Sequence, residues 1–145
     1  MSESIKIELT IPSLSDYVGV ARLTASGIAN RMKFTHEEIE DIKIAVSEAC
    51  TNAVQYAYGD QTGDIKLAFN IYDSYLEIRV SDKGKGFDVN AQPGNQTTDP
   101  DKIWLGLGIV FMRSLMDKVD YTSSDANGTE VVMVKKRPMT DEAAS

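Results

Sequence analysis

Ala45-Val46-Ser47-Glu48-Ala49-Cys50-Thr51-Asn52-Ala53-Val54-Gln55-Tyr56-Ala57 decides how this chain reads. Ile39, Ile42, Ala45, Val46, Ala49, Ala53, Val54 and Ala57 recur at helical spacing, so they define the buried face of a long amphipathic helix. Glu48 and Asn52 flank that stripe one turn apart and share a side of the helix. At 1.5 Å rise per residue their Cα atoms lie roughly 6 Å apart. That separation lets a carboxylate activate a hydroxyl while a carboxamide oxygen holds a metal ion beside the same phosphate. An exposed polar pair, or an Asn bonded to its own backbone, would look the same in this window.

Two glycine-rich segments follow in a telling order. Leu76, Ile78 and Val80 alternate as a strand with Glu77 and Arg79 on its other face, and the strand runs into Ser81-Asp82-Lys83-Gly84-Lys85-Gly86-Phe87. An acidic residue therefore closes a strand where a flexible loop begins. Leu105-Gly106-Leu107-Gly108-Ile109 then leads into Val110, Phe111, Leu115, Met116 and Val119, which predicts a helix from about Gly108 to Lys118 opened by the glycines. Unpaired N–H groups at such an opening suit phosphate oxygens. Ordinary turn glycines and a loop-capping aspartate are the competing interpretation of each segment taken singly.

The remaining elements give a mixed architecture. Ile5, Ile7, Leu9 and Ile11 alternate as a half-buried strand that Pro12 ends. A first helix is expected from about Asp16 to Met32, with Tyr17, Val18, Ala21, Ala25, Ile28 and Ala29 inward. Thr35 and Glu38 form a capping box for the motif helix, and Gly59 stops it. Strands follow over Asp64 to Tyr72 and Tyr75 to Ser81, and a final hairpin turns near Asn127-Gly128. Helices grouped with mostly antiparallel strands imply an α+β two-layer sandwich, with the helices on a mixed, mostly antiparallel sheet.

With 145 residues the chain fits one domain, expected over 1–137 with a short tail at 138–145. A net charge of −7 speaks against a nucleic-acid surface, which needs a concentrated basic stripe. Lys135, Lys136 and Arg137 make the only basic run, read here as a solvated strand end that discourages sheet pairing. No apolar run approaches the roughly 20 residues of a membrane span. Met1-Ser2-Glu3-Ser4 lacks signal-peptide character, so a cytoplasmic protein is expected. The single cysteine, Cys50, reads as a small core residue, and His36 as a first-turn surface residue.

Glu48 to Asn52, Asp82-Lys83-Gly84-Lys85-Gly86 and Gly106-Leu107-Gly108 resemble, in order, the three nucleotide-binding boxes of the ATPase superfamily that includes gyrase, the large heat-shock chaperone, sensor histidine kinases and the mismatch-repair ATPase. Gly128-Thr129 is similar to the last box of that superfamily. The phrases EIEDIKIAVSEACTNAVQYAY, YVGVARLTASGIANRM and MRSLMDKV look most like the bacterial anti-sigma factor serine kinases of the general-stress type. The resemblance runs from the first strand to Lys136. It departs at Tyr56, where many relatives carry histidine, and at Leu105, where a glycine is usual; Asp88 to Ile103 is short for a lid in this group.

The resemblance implies the histidine-kinase-like ATPase fold, with ATP between the helices and a lid over 88–105. It implies ATP and Mg²⁺ as cofactors. Asp82 would accept a hydrogen bond from the exocyclic amine of adenine, where guanine presents a carbonyl. Gly84 and Gly86 would let the backbone approach the nucleotide, with Gly106, Leu107 and Gly108 at the phosphates and Thr129 in the closing box. Asn52 would offer a hard oxygen to Mg²⁺, leaving Glu48 as the catalytic base toward an acceptor hydroxyl.

Three acceptors are chemically open: water, a partner histidine or a partner serine. The resemblance selects serine. It implies an anti-sigma factor that holds an RNA polymerase sigma subunit and phosphorylates a serine of its antagonist, acting as a homodimer with Arg22 tentatively on the partner surface. An ATP-gated binding module with negligible turnover is the alternative. In either case the Pro- and Gly-containing lid should order on ATP, with Trp104 as its reporter.

Overall fold

The computed structural model of the protein describes residues 4–58, 62–84, 100–124 and 128–137. In chain order the elements are β1 (Ile5–Pro12), a 3₁₀ turn (Ser15–Tyr17), α1 (Val18–Arg31), α2 (His36–Tyr56), β2 (Asp64–Ile71), β3 (Tyr75–Asp82), α3 (Pro100–Leu115), β4 (Lys118–Ser124) and β5 (Gly128–Lys136). The strands form one sheet in the order β1-β2-β3-β5-β4, and every pairing is antiparallel. The expected α+β sandwich is the observed fold: α1 and α3 flank α2, and the helical layer covers one face of the sheet.

The core follows the alternation of the strands and the small stripes of the helices. Ile65, Leu67 and Phe69 of β2, Leu76, Ile78 and Val80 of β3, and Val131 and Met133 of β5 are buried under the helices. Ala21, Ala25 and Ala29 of α1 face a like stripe of Ala45, Ala49 and Ala53 on α2 among the buried residues, so the helix axes can approach closely. Thr35 caps α2 reciprocally with Glu38, at 3.1 Å from the Glu38 amide to the Thr35 hydroxyl and 2.8 Å from the Thr35 amide to the Glu38 carboxylate. Gly128, at the expected hairpin, has φ 79°, the left-handed conformation a tight turn asks of glycine. Gly59 and Asn127 lie outside the described residues.

The structure corrects several boundaries. Tyr17 is exposed rather than inward, since it ends the 3₁₀ turn before α1 begins. The third helix starts at Pro100, not near Gly108, with a proline at the position where its missing N–H costs nothing. It ends at Leu115 because Asp117 turns the chain: its N–H donates to the Val134 carbonyl at 2.9 Å and its carboxylate accepts from the Lys136 N–H at 2.6 Å. Val119 is consequently a β4 residue. Ile109 and Met112 face the core where Val110 and Phe111 were expected, and those two are exposed; Met116 and Val119 are buried and Leu115 packs against the core as expected.

The basic run also has a different role from the one expected. β5 is an interior strand, so its end needs no protection against edge pairing. Lys135 Nζ donates to the Leu115 carbonyl at 2.5 Å and lies 3.5 Å from Asp41, tying β5 to the ends of α3 and α2. Arg137 donates to the Met32 carbonyl at 3.1 Å and to the Asp73 carbonyl.

Candidate nucleotide and acceptor site

Glu48 and Asn52 project from α2 toward α3 at Gly108. An ideal Cβ built on Gly108 would stand 2.6 Å from Glu48 Oε2 and 3.3 Å from Asn52 Nδ2, so the bare α-carbon is what lets the two helices enclose both polar groups. Asn52 is buried and its Nδ2 has no hydrogen-bond partner. Leaving a buried donor unpaired costs about 1–3 kcal/mol. A ligand oxygen placed there removes that cost, and a half-turn of the same amide offers Oδ1 to a cation instead. The donor set therefore fits a phosphate with a hard metal ion.

Asp82 closes β3 and is buried. It pairs across the sheet with Ile65 on one side and Thr129 on the other. Its Oδ1 accepts the Gly84 N–H at 2.9 Å. Burial pushes its pKa above the ordinary aspartate range, and the backbone N–H groups of Gly84 and Thr129 pull the other way. Thr129, also buried, stands beside Asp82. Along α2, Glu48, Asn52 and Ala57 follow one another over roughly 13 Å. Gly84 abuts the Ala57 carbonyl, so the Asp82 loop sits at one end of that line and Gly108 at the other.

Arg22 of α1 donates from Nε to Ser47 Oγ at 3.0 Å, and Ser47 Oγ donates to the Lys43 carbonyl at 2.8 Å. The two helices leave a groove of about 360 Å³ there, lined by Arg22, Lys43, Ser47, Thr51 and Glu48 among others. Glu48 therefore faces Gly108 on one side and this groove, which also holds Glu40, on the other. Lys43 and Ser47 were not singled out from sequence. Their spacing of four from one another, ending next to Glu48, was the available signal.

Some expected site residues are placed differently. Gly106, Leu107 and Gly108 lie inside α3 rather than at its opening, so their N–H groups fall where a helix uses them for its own i−4 carbonyls. Leu107 is exposed. Gly86 and residues 88–99 of the expected lid lie outside the described residues, and 100–105 belong to α3. Cys50 is buried and its thiol is pushed up to about 12 by desolvation, which leaves it a packing residue with no nucleophilic role. No helix among the described residues is long and apolar enough to cross a membrane.

Residues 11–135 match the family model of the histidine kinase-like ATPase domain. The chain is 43% identical over 143 residues to the serine-protein kinase RsbW of Bacillus velezensis, covering 93% of this chain and 88% of that protein. It is 43% identical over 136 residues to RsbW of Bacillus subtilis, covering 89% and 84%. Among solved structures, that of the RsbU and RsbW domains of a Mycobacterium tuberculosis protein superposes with a TM-score of 0.67 at 19% identity, covering 92% of this chain and 33% of the other. That likeness bears on the fold, and the Bacillus relatives bear on the family. The chain belongs to the histidine kinase-like ATPases and, within them, to the RsbW serine-protein kinases.

Proposed function

We propose that the protein is an anti-sigma factor kinase, which holds an RNA polymerase sigma subunit and uses Mg-ATP to phosphorylate a serine of the antagonist that would displace it. The observation that carries this reading is the double exposure of Glu48. Its carboxylate borders the Asn52–Gly108 space on one side and the Arg22 groove on the other, so one group reaches both a nucleotide and a protein segment. A hydrolase needs the first side only.

Bound Mg-ATP supplies the electrophilic γ-phosphorus and neutralises the charge that develops on its oxygens. Asn52 would hold the metal ion beside the phosphates through its carboxamide oxygen, and Asp82 would accept from the exocyclic amine of the base. Glu48 accepts the serine proton at its carboxylate as the hydroxyl oxygen forms the new bond to phosphorus and ADP leaves. Arg22 gives the groove a guanidinium that can pair with the acceptor segment, steadied by Ser47, while Lys43 is paired with Glu40. By the same kinship the working unit is a cytoplasmic homodimer that meets both partners through the α1 region.

Incubation with γ-labelled ATP and co-purified small partners, read by mass spectrometry, tests the acceptor. Phosphoserine on a partner is expected. Label released only as free phosphate would make the protein an ATPase, and tight ATP-dependent partner binding without turnover would make it a gated binding module.

Two variants probe the nucleotide contacts. Asn52→Ala should lose the Mg²⁺-dependent part of ATP affinity, measured by titration with and without chelator. Asp82→Asn should weaken ATP about tenfold and blur its preference over GTP, since a charged hydrogen bond is worth about 1.5–3 kcal/mol. Undiminished ATP affinity in Asp82→Asn would remove Asp82 from the base site.

The buried Asp82 also sets a pH dependence. Its folded pKa is raised, so its contribution to stability is complete below the unfolded value of about 4 and is lost as pH rises through the folded one. Thermal melts of the nucleotide-free protein should decline across that interval, and Asp82→Asn should flatten the decline.

A further inference from the structure

Tyr58 stands just past the end of α2, the last residue of the phrase EIEDIKIAVSEACTNAVQYAY and one to which the sequence assigned no role. Its hydroxyl donates to the Asp64 carbonyl at 2.7 Å and accepts the Lys83 N–H at 2.9 Å. One phenol oxygen thereby joins the end of α2, the first residue of β2 and the loop after β3. The ring needs room to reach that point. A Cβ on Gly63 would stand 2.3 Å from its carbons, so glycine there clears the space. Gly63 is itself pinned: its N–H donates to Ser13 Oγ at 2.9 Å and its carbonyl accepts the Ser13 N–H at 2.8 Å. The ring rests on a fixed support.

Lys83 lies between Asp82 and Gly84, whose N–H holds the Asp82 carboxylate at 2.9 Å. A Cβ on Gly84 would fall 1.8 Å from the Ala57 carbonyl oxygen, so this loop meets the end of α2 backbone to backbone. On its other side lies a cavity of about 460 Å³ lined by Tyr58, Asp64, Lys66, Ser81, Asp82 and Lys83. The Tyr58–Lys83 contact lies on the wall of that cavity. Two bonds then link Tyr58 to the Asp82 side chain in series, from Tyr58 to Lys83 and from Gly84 to the carboxylate, beside the Thr129 N–H that also bonds it.

We propose that Tyr58 is a positioning residue for base recognition: by clamping Lys83 to Asp64 it fixes the loop that aims Asp82, and so it sets the preference for adenine over other purines. This rests on the assignment of Asp82 as the base reader, and the Asp82→Asn titration tests that assignment by itself.

The experiment is a four-way titration of wild type, Tyr58→Phe, Asp82→Asn and the double variant with ATP and with GTP, alongside turnover at saturating ATP. Tyr58→Phe keeps the ring on Gly63 and removes only the hydroxyl. It should raise the Kd for ATP about 5-fold, the scale of one or two neutral hydrogen bonds, while the Kd for GTP moves less than about 2-fold. Turnover at saturation should stay within about 2-fold of wild type. Because Tyr58 acts through Asp82, the double variant should bind ATP no more weakly than Asp82→Asn alone. Additive losses, or equal losses for ATP and GTP, would reduce Tyr58 to a general stabiliser and overturn the proposal. Amide exchange of the unmodified protein gives a second check that needs no variant: the Lys83 N–H should be protected, and exchange at the rate of an open loop would also overturn it.

Discussion

Glu48→Gln should bind Mg-ATP as tightly as the parent protein and lose phosphoryl transfer by about 10² or more. The substitution keeps the shape and hydrogen-bonding reach of the side chain and removes its ability to take a proton. Glu48 is half-buried between Gly108 and the Arg22 groove, and its carboxylate makes no structural ion pair with either Arg22 or Lys43; the Lys43 ammonium pairs with Glu40 at 3.0 Å and Arg22 with Ser47. The fold therefore has little to lose, and thermal melts should coincide. Single-turnover transfer from labelled ATP to a serine partner measures the chemical step, and nucleotide titration measures binding. A variant that still transfers phosphate at the parental rate would require a different base and would break the link between the two sides of Glu48.

The parts of this site that were legible in the sequence are those fixed by local periodicity. The stripe of α2 is read directly from 3.6-residue spacing, which alone places Glu48 and Asn52 on one side of a helix. Asp82 at the end of β3 followed from strand alternation, and its neighbour Thr129 from the order of the family boxes. What local pattern does not carry is tertiary proximity. Arg22 and Ser47 are 25 residues apart, and only the packing of α1 on α2 puts Arg22 in a groove with Glu48. Tyr58 looks like a trailing aromatic until β2 and β3 bring Asp64 and Lys83 to its hydroxyl.

The third helix was misread for a related reason. Its residues from Leu105 to Leu115 are mostly apolar, so more than one choice of buried face satisfies helical spacing, and the glycines invited a start at Gly108. The structure settles the face through Ile109 and Met112, and the start through Pro100. The basic run at the end of β5 was judged by composition alone, whereas Lys135 and Arg137 are committed to carbonyls and a carboxylate of neighbouring elements. Charge counted in sequence says little about which charges are already engaged.

Gly108→Ala should raise stability and lower activity, two effects of opposite sign from one methyl group. Glycine inside a helix is less favourable than alanine by about 1 kcal/mol, and Gly108 lies well inside α3, so the exchange should raise the melting temperature by a few degrees. The added Cβ would stand 2.6 Å from Glu48 Oε2, closer than such atoms can remain. The flexible end of Glu48 gives way more cheaply than the backbone of either helix, so the fold survives and the carboxylate moves. A displacement near 1 Å at a catalytic group can cost about 10² in rate, and Asn52 Nδ2, at 3.3 Å from the same Cβ, loses the open space into which a ligand oxygen would fit. Transfer should therefore fall about tenfold to 10²-fold in a protein that melts later than its parent. Melting curves and single-turnover assays on the same preparation separate the two effects. A more stable variant with full transfer would mean that α3 leaves Glu48 in the working state and that the enclosure of Glu48 and Asn52 by Gly108 belongs to the nucleotide-free protein alone.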